Sequence, residues 1–154
     1  MKLVTYRAAP DGEGRLGILH ADLVIDVEAL GDAHGEDFPN TMLDMIDAGR
    51  PGLAAVQSVL DSMGDVPPIH TSVPVSNATL LAPIPRPRKN IWGVGLNYTE
   101  HVAESARALD TSSELPQKPV LFTKPPTAVI GAGEPILHDS KMTQQLDWEV
   151  ELAV

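Results

Sequence analysis

Three acidic residues near residue 150, Asp147, Glu149 and Glu151, alternate with apolar residues. In an extended strand alternate side chains project to the same face, so this spacing predicts three carboxylates on one face of a strand over 147–154. Carboxylates this close repel one another, and Mg²⁺, Mn²⁺ or Ca²⁺ would relieve that repulsion because these cations prefer oxygen ligands. The same alternation is typical of the solvated face of an amphipathic sheet. The pattern therefore indicates either a metal site or a polar sheet surface.

A histidine and a glutamate, His101 and Glu104, are three residues apart in the stretch 97–109, whose apolar residues recur at helical spacing. Residues three apart lie on one face of a helix, so Glu104 can hold the imidazole of His101. A carboxylate at one ring nitrogen fixes the tautomer and raises the basicity of the other nitrogen, as a general base requires. The alternative is an exposed pair that stabilises the helix slightly.

Lys124 lies between Phe122 and two prolines in an otherwise apolar segment. A lysine in this position is either a surface residue whose alkyl stem covers apolar neighbours, or a cation for a substrate carboxylate or enolate. A second basic group, Arg86, Arg88 and Lys89, lies among prolines and is predicted to be part of a solvated linker rather than an anion site.

Composition excludes several classes of function. The 154-residue chain carries a formal net charge of −10, which argues against a general binder of nucleic acids or anionic membranes. It has no cysteine, which excludes disulfides, zinc–thiolate sites, iron–sulfur clusters and thiol nucleophiles. No apolar run is long enough to span a bilayer and no leader is evident, so we expect a cytoplasmic protein.

The first half of the chain is predicted to form a small α+β domain over residues 1–75. Three strand-like runs, 2–8, 15–20 and 22–27, are separated by turn residues and predict an antiparallel meander. A helix over 41–48 with Asn40 as its N-cap, ended by Gly49, precedes a second helix from Pro51 to about residue 63. The proline-rich stretch 65–90 is predicted to be an extended connector containing the domain boundary.

The second domain, 76–154, is predicted to mix strands with one helix. A buried strand over 91–95 is followed by the helix over 97–109. Two further strands, 119–123 and 127–130, flank Lys124 and its prolines, and the acidic strand follows them.

Three segments in this second domain resemble the fumarylacetoacetate hydrolase superfamily. They contain the motifs Asn-Tyr-x-x-His at 97–101, Phe-x-Lys-Pro at 122–125 and Glu-x-Glu at 149–151, in that order and at plausible separations. The resemblance begins at about residue 80, and the N-terminal domain is a weaker match to the small variable domain of that family.

The resemblance implies a role for each matching residue. Glu149 and Glu151 would be ligands of Mg²⁺ or Mn²⁺, with Ca²⁺ as an alternative, and Asp147 would lie outside the metal's ligands. His101 and Glu104 would form the catalytic pair that activates water or removes a proton, and Lys124 would act near the substrate. The family's third ligand is an aspartate further along, so we expect it beyond Val154 in a domain that this chain enters but does not complete.

The resemblance also implies an activity and a fold. The activity is a divalent-metal-dependent hydrolysis of acylpyruvate or β-diketo-acid substrates, by cleavage of a C–C bond. The alternatives are a related 2-oxo-acid decarboxylase, isomerase or hydratase, or a non-catalytic binding module that kept the fold. The fold class is α+β, mostly β: a fumarylacetoacetase-like mixed β-roll behind the small N-terminal domain. We further expect a homodimer that binds a small 2-oxo acid but no nucleic acid and no membrane.

Overall fold

Three antiparallel strands open the computed structural model, which describes residues 1–64, 66–109 and 114–148. Strand β1 (Lys2–Arg7) pairs with β2 (Arg15–His20), which pairs with β3 (Leu23–Asp26). His20 pairs with Leu23 across a two-residue turn, in which Ala21 has a φ of 48°. The predicted meander is therefore confirmed, with each strand within one or two residues of its expected bounds.

A short helix that the sequence did not predict follows the meander directly. Helix α1 (Val27–His34) begins at Asp26, whose carboxylate accepts a hydrogen bond from the backbone N–H of Ala29 at 2.9 Å. It ends at Gly35, which has the left-handed φ of 74° that glycine adopts most readily. The strand-like run of apolar residues up to Val27 conceals this helix start, because Asp26 both ends β3 and caps α1.

Two consecutive helical segments form α2 (Met42–Met63), with a kink at Gly49. Gly49 has a φ of 61° and a ψ of −149°, so it interrupts the helix where the sequence predicts the first segment to end. The predicted N-cap is wrong by one residue: the hydroxyl of Thr41, not the side chain of Asn40, accepts from the N–H of Asp44 at 3.1 Å. Asn40 instead donates to Glu28 at 3.3 Å.

The predicted connector contributes two strands to the first sheet. Strand β4 (Ser72–Pro74) pairs with β3, and β5 (Thr79–Leu80) pairs with β1, so the five-stranded sheet has the order β4-β3-β2-β1-β5. A single 3₁₀ turn, Val75–Asn77, joins them. Sheet pairing thus reaches Leu80, whereas the domain boundary near residue 75 stays a prediction.

One face of this sheet packs against α1 and α2 to form the core. The fully buried residues come from both layers: Leu16, Ile18 and Ile25 from the strands, with Leu30, Met45 and Val56 from the helices. Burial of apolar side chains of this size, at roughly 25 cal/mol per Å² of apolar surface, is the main stabilising contribution to this half of the chain.

A network of charged side chains lies at the edge of that core. Asp26 is 7% exposed and accepts hydrogen bonds from the hydroxyl of Tyr6 at 2.8 Å and from Arg15 at 2.6 and 2.9 Å. Burial by itself raises the pKa of the Asp26 carboxyl, but its hydrogen bonds with Arg15, Ala29 and Tyr6 bring the net pKa below the ordinary value. Burial and the bond to Asp26 raise the pKa of the Tyr6 phenol.

The second half of the chain contains a two-stranded sheet and a helix. Strand β6 (Ile91–Gly95) leads into α3 (Thr99–Leu109), and β7 (Val120–Lys124) returns antiparallel to β6. These two strands are called the ribbon below. The predicted strand over 127–130 is wrong, because Pro125 and Pro126 direct the chain into a 3₁₀ turn, Pro126–Ala128. The prediction that 91–95 is buried is also wrong, since the Trp92 side chain is 66% exposed.

The described residues form both strands and helices, so the expected mixture of the two is confirmed, whereas the complete β-roll stays a prediction. None of the helices in that part of the chain combines the length and apolar character required to cross a membrane.

Candidate active site

The ribbon is shaped by contact between an aromatic ring and a glycine. Gly93 pairs with Phe122 across the two strands, and the phenyl ring packs on the Gly93 backbone. A Cβ atom at position 93 would lie 2.6 and 2.7 Å from the two Cε atoms of that ring, closer than real contacts allow. The packing of the Phe122 ring therefore explains why residue 93 is a glycine.

Lys124 ends β7 beside this ring. It pairs with Ile91, the first residue of β6, and its Nζ atom lies 5.4 Å from the centroid of the Phe122 ring. A cation over an aromatic face at an exposed position contributes about 0.5–1 kcal/mol, which favours one arrangement of the lysine stem. Lys124, Phe122 and Gly93 thus lie on one face of the ribbon, as the register of the pairing requires.

Helix α3 presents His101 and Glu104 to solvent. Its inner face is defined by Val102 and Ala106, which are 4% and 9% exposed, whereas both predicted catalytic residues are exposed. Residues three apart on this helix lie on the same side, as predicted. Within the described residues, however, no hydrogen bond or ion pair joins His101 to Glu104. The catalytic pairing of these two side chains therefore stays a prediction.

The start of α3 is fixed by its own polar residues. The Thr99 hydroxyl donates to the Glu100 carboxylate at 3.0 Å, and the N–H of Val102 donates to the carbonyl of Tyr98 at 3.0 Å. The backbone N–H of Glu100, followed by the Thr99 hydroxyl, lowers the pKa of the Glu100 carboxyl. An ionised acid in the first turn suits the positive end of the helix dipole.

A cavity of about 320 Å³ lies where β6 turns into α3. One wall consists of 94–97, in which Leu96 has a φ of 55°, and the other is the loop 115–120 that leads into β7. The sequence did not single out Leu96 or this loop, because an unusual φ at a non-glycine residue leaves no signal in residue type. The cavity lies between the end of β6 and the loop that leads into β7, and neither His101 nor Lys124 is among its lining residues.

The acidic stretch is only partly described. Asp147 is exposed, and its carboxylate accepts a hydrogen bond from the N–H of Trp148 at 2.8 Å. The predicted metal ligands Glu149 and Glu151 lie outside the described residues. Among the residues that the structure does describe, no group of three or more histidine, aspartate or glutamate side chains could hold a metal ion.

An ion pair that the sequence did not predict anchors the connector before the ribbon. Arg88 donates two hydrogen bonds to the carboxylate of Asp47 on α2, at 2.8 and 2.6 Å. Its hydrogen bonds lower the pKa of Asp47 and raise that of Arg88. Arg88 therefore anchors the linker to α2. This contact accounts for one of the three residues of the predicted basic group.

Comparison with known proteins gives a family match for the second half of the chain. Residues 90–154 match the family model described as fumarylacetoacetate (FAA) hydrolase C-terminal. The oxaloacetate tautomerase YisK of Bacillus subtilis is 41% identical over 80 residues, which cover 52% of this chain and 25% of that protein. The mitochondrial oxaloacetate tautomerase FAHD2A of Bos taurus is 31% identical over 156 residues, covering 100% of this chain and 44% of that protein.

A solved structure shares the fold. The maleylpyruvate hydrolase of Sphingobium sp. SYK-6, in complex with manganese(II) ion and pyruvate, superposes with a TM-score of 0.50 at 22% sequence identity. The similarity covers 84% of this chain and 39% of that structure, so here too the chain spans less than half of the protein it matches. The family expected from the three motifs is thereby confirmed for the part of the chain that its model matches, residues 90–154.

Proposed function

We propose that residues 90–154 contribute to the active site of a divalent-metal-dependent enzyme that acts on 2-oxo acids. One observation carries this proposal: the family match over 90–154 includes every predicted site residue, namely His101, Glu104, Lys124, Glu149 and Glu151. Further support comes from the relatives named as oxaloacetate tautomerases and from the fold shared with a maleylpyruvate hydrolase.

Glu149 and Glu151 would hold the metal ion. Two carboxylates separated by one residue suit Mg²⁺ or Mn²⁺ by the chemistry of their oxygen donors. The manganese(II) and pyruvate in the Sphingobium structure support the same metal and the same class of ligand here. When bound, a divalent cation supplies positive charge that polarises the oxygens of a 2-oxo acid.

The other three residues would move protons and position the substrate. His101 would act as the general base, and Glu104 would orient its imidazole ring. Lys124 would offer its ammonium group to a substrate carboxylate. The exposure of all three side chains agrees with a site that is open to a small molecule in this part of the protein.

The first candidate reaction is keto–enol tautomerisation of a 2-oxo diacid. It is favoured because the relatives that align with the whole chain are named as oxaloacetate tautomerases. His101 would remove a proton from the carbon next to the carbonyl, and a proton would be returned to the carbonyl oxygen. No bond between heavy atoms forms or breaks, so the site needs to move only protons.

The second candidate is the hydrolytic cleavage of an acylpyruvate, which the resemblance to the fumarylacetoacetate hydrolase superfamily implies. The shared fold with a maleylpyruvate hydrolase supports it. Here His101 would take a proton from water, and the resulting hydroxide would add to the distal carbonyl. Collapse of this adduct would break the C–C bond and release a carboxylic acid and the enolate of pyruvate, whose carbon would take the proton held by His101. Decarboxylation, hydration and a non-catalytic binding role remain the alternatives.

Removal and return of the metal tests the proposal. We expect the full-length protein to lose activity in excess chelator and to regain it with Mg²⁺ or Mn²⁺. The assay should follow the enol absorbance of oxaloacetate for tautomerisation and the diketo absorbance of an acylpyruvate for cleavage. Activity on both substrates that persists in chelator would contradict metal dependence.

Replacement of His101 tests the role of the base. We expect His101→Ala to lower turnover by about 100-fold or more, because general base catalysis contributes roughly 10²–10⁴-fold. The affinity for Mn²⁺ should not change. His34→Ala, which removes an exposed histidine on α1, is the matched control and should keep full turnover. Loss of Mn²⁺ binding in His101→Ala would make His101 a ligand instead of a base.

Three broader expectations accompany this proposal. The complete β-roll, the homodimer and the cytoplasmic location are predicted from the sequence and its resemblance. Bovine FAHD2A is named as mitochondrial, so a fractionation experiment should compare both compartments.

A further inference from the structure

A second cavity, of about 310 Å³, lies between β1, the start of α2 and the connector that follows β5. None of the predicted active-site residues lines it. Its lining is mostly apolar and includes Met42, Leu43, Leu81, Ile84 and Pro85. One lining residue, Arg86, is charged. Its volume is at the lower end of the roughly 300–1,000 Å³ typical of ligand pockets.

The wall formed by the connector is held in place at both of its ends. At the near end, the N–H of Leu81 donates to the carbonyl of Thr5 at 2.9 Å, and the Thr5 hydroxyl donates to the carbonyl of Pro83 at 2.5 Å. At the far end, Arg88 is bonded to Asp47 on α2 through two hydrogen bonds. Alternate prolines restrict the backbone between these anchors. A ligand would therefore meet a cavity that is largely pre-formed, which lowers the entropic cost of binding.

The charge at the cavity is available to a ligand. Arg86 is exposed, and within the described part of the chain it makes no hydrogen bond or ion pair. Arg88, two residues further on, is by contrast occupied by Asp47. A guanidinium group presents paired donors that match the two oxygens of a carboxylate. Apolar walls with a single cation complement a molecule that has an apolar body and one carboxylate.

We propose that this cavity binds a small monocarboxylate with an apolar body the size of a phenyl ring. The apolar body contacts Leu43, Leu81 and Ile84, and the carboxylate pairs with Arg86. A small hydrophilic anion such as phosphate lacks the apolar body, and a neutral hydrocarbon leaves Arg86 without a partner. Because the connector leads from Arg86 into β6, the bound ligand would also stabilise the segment that precedes the ribbon.

Methyl-detected NMR with benzoate tests this site directly. Benzoate should be titrated into the full-length protein in excess chelator, so that metal-linked binding of carboxylates at the candidate active site does not contribute. We expect saturable shifts of the Leu43, Leu81 and Ile84 methyl signals. Benzyl alcohol, which keeps the ring but lacks the charge, should bind about tenfold more weakly, as expected for the loss of one charge-assisted hydrogen bond. Acetate, which lacks the ring, should produce no saturable shift.

Three variants separate this cavity from other sites. Arg86→Gln should weaken benzoate binding about tenfold, whereas Arg50→Gln, which removes an exposed arginine of α2 that does not line the cavity, should leave it unchanged. Glu149→Gln should also leave it unchanged, because it alters only the candidate metal site. Absence of saturable methyl shifts would overturn the proposal. Equal affinity of the wild type and Arg86→Gln would overturn it too, as would loss of binding in Glu149→Gln.

Discussion

At the scale of single residues, Asp26 links the sheet to the first helix. It ends β3, caps α1 and accepts hydrogen bonds from Tyr6 and Arg15 while remaining almost fully buried. A buried carboxylate is costly unless it is well paired, and this one is. Its network therefore determines how β3 leads into α1.

We expect Asp26→Asn to lower the free energy of unfolding by about 2 kcal/mol at neutral pH, since hydrogen bonds to a charged group contribute roughly 1.5–3 kcal/mol. The folded-state pKa of Asp26 is below its ordinary value of 3.8. Its contribution is therefore present above that value and is lost as the pH falls through the folded-state pKa. Urea unfolding at a series of pH values should show the two proteins converging in acid.

An exposed pair provides the control for this prediction. Asp47 makes a similar bidentate contact with Arg88, but both side chains are more than half exposed. Asp47→Asn should leave the unfolding midpoint nearly unchanged, because exposed ion pairs contribute little. If the difference in unfolding free energy between wild type and Asp26→Asn stays constant down to the lowest pH, folding does not lower the pKa of Asp26.

Residue types predict the local structure that a residue can form better than they predict which other residues its side chain will contact. The N-cap of α2 was expected at Asn40 but is Thr41, because both residues are good caps and only the backbone geometry distinguishes them. Similarly, the spacing of His101 and Glu104 places them on one side of α3, yet it does not determine whether they bond. The Arg88–Asp47 pair joins residues 41 positions apart, and a single sequence gives no signal for such a contact.

At the scale of elements, the ribbon depends on how closely its two strands pack at Gly93. We expect Gly93→Ala to destabilise the ribbon by about 1–3 kcal/mol, because the added Cβ atom would displace the Phe122 ring and overpacking costs this much. The chain has two tryptophans, so in a Trp148→Phe background the emission of Trp92 reports unfolding of the ribbon alone.

Two further variants make this test specific. Gly95→Ala is the matched control, since a Cβ atom there would meet its neighbours at 3.6 and 3.7 Å, an ordinary contact distance. Phe122→Leu combined with Gly93→Ala should recover part of the lost stability, because the smaller side chain makes room. If Gly93→Ala and Gly95→Ala unfold at the same urea concentration, the ring does not pack on Gly93 as described.

The kink in α2 gives a second prediction for an element. Gly49 has a φ of 61° and a ψ of −149°, a conformation that is essentially restricted to glycine. We expect Gly49→Ala to lower the free energy of unfolding by about 1–3 kcal/mol, measured by circular dichroism in urea. Gly35→Asn is the control: Gly35 has a left-handed φ of 74°, which asparagine tolerates. Unchanged stability of Gly49→Ala would show that the kink does not require glycine.

Elements with strong local signals are predictable from the sequence, and those set by tertiary packing are not. The meander and the interruption at Gly49 follow from turn residues and from glycine, whose effects are local. Helix α1 was missed because its first residue, Val27, is also the last residue of a strand-like apolar run. The apolar residues of β6 indicated burial, whereas Trp92 is mostly exposed, because apolar composition alone does not specify which neighbours cover a strand.

At the scale of the whole molecule, the two halves of the chain differ in how much of their apolar surface is buried. The N-terminal half buries its apolar residues between a five-stranded sheet and two helices, whereas the ribbon exposes apolar side chains such as Trp92 and Leu121. A two-stranded sheet has little independent stability. The chain also spans less than half the length of the curated relatives it matches.

Calorimetric titration of oxalate into the full-length protein, with and without Mn²⁺, tests the central claim most directly. Oxalate resembles the enolate of pyruvate but does not react, so it reports a 2-oxo-acid site without turnover. We predict saturable binding that requires Mn²⁺ and is lost in the double variant Glu149→Gln, Glu151→Gln. Oxalate affinity that is the same with and without Mn²⁺, or that survives in the double variant, would contradict a metal-dependent site at these glutamates.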